Sequence, residues 1–415
     1  MKRTFALLMS LCLAACAAYA QPDPLSTQID GIVAELTKIS GLARLHKIEY
    51  DRIAKGQVKQ FLEEQAKEEL KPEELRAEEL ALKKFGFVPA DFDLKKTMIE
   101  LLTEQAAAFY DPRKHKLFVI ESTPDLVQRL ALVHELAHAL ADQHFHLGKF
   151  IEKSNPKDDS ALARTAVMEG QATWLMFEQF SRSGGQSLRN SNGLAALMSQ
   201  TAELAAGQYP VFGHAPLYIR ESLLFPYTQG FLFQQAVVAK LDQAAFAEVF
   251  RNPPVSTQQI LHPEKYFAGT RPVVPPLPQL DNRRAWRVLG EGAVGEFDHS
   301  ILLRQYAGEK EAAEISPNLT GGVYQILENK ADGRLVLAYA SEWTNAAVAR
   351  KYFGLYLRVL KGKWKNFRVD SESGSAVAGR GDDGYFLLRC EGSRVASLEG
   401  MSSPPAAPAP SNRIH

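Results

Sequence analysis

Two histidines four residues apart define the chemistry open to this chain. Residues 133–140 read Val-His-Glu-Leu-Ala-His-Ala-Leu, an H-E-x-x-H run. On a helix, His134 and His138 share one face. Each imidazole can then give one nitrogen to a zinc ion (Zn2+) at roughly 2.0–2.1 Å. Glu135 projects beside them and is not needed as a ligand, so its carboxylate is left to take a proton from water. The bland alternative is a helix with two surface histidines, which so short a pattern permits by chance. Three features weigh against it: an apolar strand ahead of the helix, an export signal, and a third ligand candidate.

That candidate is Glu169, within Met-Glu-Gly-Gln-Ala-Thr at 168–173. It follows His138 by 31 residues, enough for a loop and a returning antiparallel helix. Gly170 and Ala172 are small enough to let the two helices approach closely. Three protein ligands leave a fourth position for water, which separates a catalytic zinc from a structural one. The alternative is an ordinary helix carboxylate. Asp142, four after His138, is placed to orient a ligand or brace the second helix, and Thr173, four after Glu169, to do the same. His144 and Tyr227 are candidates to stabilise an oxyanion. For Tyr227, a core aromatic beside a proline is the simpler reading. His262 reads as a loop or cap residue, and His46, His115, His214 and His299 offer no constellation.

These side chains need elements to hold them. Residues 126 to about 145 have helical spacing, and a break at Thr123-Pro124-Asp125 precedes them. Ahead of the break, 116–120 (Lys-Leu-Phe-Val-Ile) reads as one strand, after a turn at 110–113. Upstream, 25–108 reads as helical. Pro72 opens a new helix, Asp93-Leu94 another, and the Glu/Lys-rich 59–84 stretch is a solvated face. Asp159 or Ser160 caps a helix running to about 182, and 183–193 is a Ser/Gly/Asn-rich loop. Pro253, Pro254 and the run 271–278 mark a linker. Beyond it, 323–327, 335–339 and 384–390 read as strands and 345–360 as a helix. Residues 402–410 have a disordered composition.

The chain holds 48 Lys+Arg and 48 Asp+Glu, so no basic excess points to nucleic acid and no acidic excess to disorder. Lys2 and Arg3 precede an apolar run at 5–15, too short for a span of roughly 20 residues. Ala18-Tyr19-Ala20 suits signal-peptidase cleavage, making 1–20 a signal peptide. Leu13-Ala14-Ala15-Cys16 instead resembles a bacterial lipobox, with the signal ending at Ala15 and Cys16 lipidated as a membrane anchor. Cys12, Cys16 and Cys390 are the only cysteines, so the mature chain cannot rest on a disulfide framework.

The motifs together resemble the gluzincin metallopeptidases, whose third ligand is a Glu on the helix after the H-E-x-x-H helix. They are similar to those of a group of exported bacterial proteins in which H-E-x-x-H runs into D-Q-H-F and E-G-x-A-T follows. Here these are residues 134–145 and 169–173. The resemblance covers about 55–270, including Tyr110-Asp111-Pro112, Phe225-Pro226-Tyr227 and His262-Pro263-Glu264-Lys265-Tyr266. It implies a gluzincin fold and zinc dependence, with no particular substrate. The expected architecture is α+β: a mainly helical zincin-like catalytic domain at 21–275 with a short β edge, a small α+β domain at 276–400, and a tail at 401–415. The expected function is a zinc-dependent peptidase acting on peptide or protein substrates in the periplasm, cell envelope or outside the cell. An extended substrate is expected to pair with an edge strand at 116–120. The rival readings are a non-catalytic envelope scaffold that keeps a zincin fold, and a helical structural protein with a chance motif. Glu135 argues against the first, because a scaffold needs no general base.

Overall fold

The computed structural model describes residues 23–405 apart from 70, 106, 122–123, 156–157, 192, 194–195 and 197–208. The signal segment, Cys16 and residues 406–415 of the expected tail lie outside these. One helix, Asp125–Phe145, carries a run of buried residues unbroken from Leu132 to Asp142. A helix covered on all sides belongs at the centre of a structure, and this motif helix does. It starts after Pro124 and stops at His146, whose left-handed backbone (φ 53°) returns its N–H to the Asp142 carbonyl. Its first turns stand clear of the core, leaving Leu126 61% and Val127 45% exposed.

Two helices pack directly against it, and a third packs on the second of these. The first, Pro24–Ser40, is capped by Asp23, which accepts from the Leu25 N–H and is tied to Tyr50 and Arg52. The second, Ser160–Ser183, carries Glu169 and is called the glutamate helix below. The third, Leu217–Leu241, carries Tyr227 and Pro226 within its length and is called the tyrosine helix. The loop after the glutamate helix is pinned: Leu188 is fully buried, and its N–H and the Ser187 hydroxyl both donate to Glu178.

A small mixed sheet lies beside the motif helix. It joins β1 (Glu49–Ile53), β2 (Ala108–Asp111) and β3 (Lys116–Ile120) in the order β1-β3-β2, with β1 parallel and β2 antiparallel to β3. Three expectations change here. The stretch 25–108 is not all helical, because β1 interrupts it, and Tyr110 and Asp111 belong to a strand rather than a turn. Strand 116–120 is no edge: it is the central strand, and the edges are β1 and β2. The reason lies in its two apolar faces. Phe118 and Ile120 pack with Ile53, Phe61 and Phe109 in a satellite core, while Leu117 and Val119 face the main core with Tyr110.

The C-terminal part is a seven-stranded antiparallel sheet. Its strands are β4 (Trp286–Ala293), β5 (Leu319–Asn329), β6 (Leu335–Trp343), β7 (Arg368–Ser373), β8 (Ala376–Gly381), β9 (Gly384–Glu391) and β10 (Arg394–Met401). They run in the order β4-β5-β6-β10-β9-β8-β7. Helix Ala346–Lys363 packs across β6, β9 and β10. The fold is therefore mixed α+β. Residues 271–278, expected as a linker, run beside β5, where the Val273 N–H donates to the Thr320 carbonyl. One hydrophobic core spans both parts. Phe85, closing helix Pro72–Phe85, meets the edges of Tyr324 and Tyr339 at 5.5 and 5.6 Å. Phe225 of the tyrosine helix packs on Phe297 at 4.8 Å. Among the described residues no helix is long and apolar enough to cross a membrane.

Candidate metal centre

His134 and His138 lie one turn apart on the buried part of the motif helix, and their rings stand edge to face at 4.7 Å. Their Nε2 atoms are 3.1 Å apart. Glu169 reaches between them from the glutamate helix, with Oε2 3.0 Å from His134 Nε2 and 3.2 Å from His138 Nε2. Among the described residues, this is the one set of three His, Cys, Asp or Glu side chains whose ligand atoms converge. Donors around one tetrahedral ion at 2.0–2.2 Å stand roughly 3.3–3.5 Å from one another. The observed spacings are a few tenths shorter, and two nitrogens with one carboxylate oxygen suit a divalent ion of borderline softness. The residues fit a metal. Burial by itself would raise the Glu169 pKa. The imidazoles of His138 and His134 more than reverse this and hold the carboxyl well below the usual range.

Glycines set the position of Glu169. A Cβ at Gly170 would lie 2.2 Å from the Gly230 backbone, and one at Gly230 would lie 2.2 Å from the Ala166 carbonyl. The glutamate and tyrosine helices therefore cross backbone to backbone. Gly170 makes room for the tyrosine helix, not for the motif helix as the sequence suggested. The crossing holds Tyr227 over the triad. Its ring stacks on His134 at 5.8 Å and 26°, and its hydroxyl hydrogen-bonds to Glu169. The residue as a whole stays 39% exposed. Burial of the hydroxyl and then the charges of Glu169 and Glu135 push its pKa well above that of an ordinary phenol, so it stays protonated and able to donate.

Glu135 is 6% exposed. Its Oε2 accepts the Tyr110 N–H from β2 at 2.8 Å. Burial raises its pKa to about 7, aided by the negative charge of Glu169 and opposed by His134 and the Tyr110 N–H. A nearby cation would favour the carboxylate again.

The remaining candidates divide. The structure brings Tyr227 to the triad and leaves His144 out. Six residues past His138, His144 points round the helix from the ligand face, and its Nε2 is 2.8 Å from the Ala43 carbonyl. Asp142 neither touches a ligand histidine nor braces the second helix. It accepts from Tyr110, His115 and the Leu147 N–H. The Thr173 hydroxyl is buried without a hydrogen-bond partner among the described residues, so it does not orient Glu169. His262 pairs with buried Glu296 at 2.7 Å. The sequence reading missed Tyr110 as a site residue. Its contribution is a backbone N–H, which residue type does not encode. No family model, curated protein or solved structure matches the chain, so its site is read from its own atoms.

Proposed function

We propose that the chain is a zinc-dependent peptidase with a zincin-like catalytic part, exported and acting on extended peptide segments. The observation that carries this is the convergence of His134, His138 and Glu169 within 3.2 Å, beside a buried carboxylate that is not one of the three. Bound by these three side chains, zinc would supply Lewis acidity toward the scissile carbonyl and toward water. Glu135 takes a proton from the attacking water and hands it to the leaving amine nitrogen. The Tyr227 hydroxyl donates to the oxyanion that forms on the former carbonyl oxygen.

The substrate strand belongs on β2. Ala107 gives its carbonyl to Ile120 of β3, and Tyr110 turns its N–H to Glu135. Alternation along the strand then turns the Ala108 N–H and C=O to the outer edge, where an extended peptide can add. Export rests on the N-terminal signal, with lipidation of Cys16 as the route to a membrane anchor.

The test is metal and activity together. Purified protein should hold about one zinc per chain after dialysis against a weak chelator. It should hydrolyse unfolded casein, lose that activity to a strong chelator and regain it with zinc. Glu169→Ala should lose the metal. A chain that neither retains zinc nor cleaves casein would end this reading.

A further inference from the structure

One residue of β2 holds the carboxylate of Glu135 and is itself held from behind. The Tyr110 N–H donates to Glu135 at 2.8 Å, and its phenol donates to Asp142 Oδ2 at 2.9 Å. Glu135 and Asp142 are seven residues apart on the motif helix, hence two turns apart on nearly one face. Tyr110 therefore lies along two turns of that helix, with its backbone bonded at one end and its hydroxyl at the other. Asp142 is a fixed post. It is 1% exposed, its Oδ1 accepts the Leu147 N–H at 2.7 Å, and its Oδ2 also lies 2.8 Å from His115 Nδ1. Burial and the charge of Asp142 push the phenol's pKa well up, so it stays protonated and able to donate.

β2 needs such a tie. It is a four-residue edge strand that, among the described residues, has β3 as its one strand partner. Backbone pairing on one side leaves it free to shift over the helix, and a one-residue slip would turn every side chain to the other face. We propose that Tyr110 is a positioning residue: with Asp142 it staples β2 to the motif helix, so that the base carboxylate and the outer edge of β2 stay in fixed register. The staple needs no substrate to form, and its catalytic half rests on the peptidase reading above.

The experiment uses zinc-loaded full-length protein, with Tyr110→Phe, Asp142→Asn and the double variant. Tyr110→Phe removes one oxygen from the ring and is the variant that keeps the core. Hydrogen exchange at the residue-110 amide reports the Glu135 contact without any substrate. Casein hydrolysis and zinc content are read in parallel. Each single variant should keep its zinc, speed that exchange at least ~10-fold, and lower kcat about 10- to 100-fold with a smaller change in KM, as a misplaced group does. The double variant should be no worse than the poorer single one, because both changes break the same tie. Unchanged exchange overturns the staple, and so do strictly additive losses. Faster exchange with unchanged kcat overturns the positioning role. A wild-type chain that binds zinc but hydrolyses nothing removes the catalytic half, and the exchange rates then decide the staple alone.

Discussion

At the residue scale, the site combines two carboxylates driven in opposite directions. Glu169 lies against two imidazoles and favours its charged form, whereas Glu135 is buried beside it and resists charging. Glu135→Gln keeps the size and the acceptor for Tyr110 but cannot take a proton. It should retain zinc and lose about 10²–10⁴-fold in kcat. Full activity in the zinc-loaded variant would remove Glu135 from the mechanism. The same substitution should stabilise the metal-free protein in a pH-dependent way. The folded pKa of about 7 lies above the 4.5 of a free carboxyl, so the unfavourable buried charge is fully present above about 7 and absent below 4.5. The gain in Tm should be largest at pH 8 and fade by pH 4.5, and an equal gain at both would contradict it. Tyr227→Phe removes one oxyanion donor, worth ~2.7–4 kcal/mol of barrier, and should cut kcat by about 10²–10³ without loss of zinc. The three converging side chains and the Glu135 carboxylate beside them were legible because helical period and residue chemistry pick them out. His144 misled because position in a motif does not tell which way a helix face points.

At the element scale, the site depends on a helix crossing. Gly230→Ala places a methyl where the Ala166 carbonyl stands, so the glutamate and tyrosine helices must part. Overpacking of this kind costs about 1–3 kcal/mol or more. We expect a lower denaturation midpoint, weaker zinc retention as Glu169 withdraws, and reduced kcat as Tyr227 moves with its helix. A variant of wild-type stability would show that the crossing has slack. The sequence located helices that have clear period and breaks, such as Ser160–Ser183 behind Asp159. Asp159 stands at the N-cap of that helix, but its carboxylate makes no capping bond and instead accepts from the Thr257 N–H and hydroxyl. Strands were harder to find. β8, Ala-Val-Ala-Gly-Arg-Gly, and β10, Arg-Val-Ala-Ser-Leu-Glu-Gly-Met, contain glycine and polar residues that carry little strand preference. Their partners in the sheet decide them, and pairing is not visible along one chain.

At the scale of the whole molecule, the border expected near residue 275 is crossed by packing. Tyr218 donates to Asp298 at 2.9 Å, Tyr306 to the Gly86 carbonyl at 2.6 Å, and Lys363 to the Lys84 carbonyl at 2.7 Å. Phe85 and Phe87 are buried in the shared core. A fragment ending at Pro275 would expose these aromatics and remove the Asp298 carboxylate to which buried Tyr218 donates. It should bind hydrophobic dyes, lose near-UV dichroism and hold zinc poorly, whereas a fully folded, zinc-binding fragment would show the helical part to be self-sufficient. The linker was expected from the proline run at 271–278, yet prolines also suit a segment laid against a sheet margin, as Val273 is on β5. If the proposed peptidase function holds, the shortness of β2 reaches beyond the molecule to its targets. With one outward residue, Ala108, between the site and the strand end, the edge grips little more than a bare backbone. A target must therefore come already unravelled, and a native domain with ~5 kcal/mol of stability is open in fewer than one molecule in about 10³. On the proposed peptidase reading, such an enzyme would sort proteins by their folding equilibrium more than by their sequence, sparing sound ones and clearing those that have come apart.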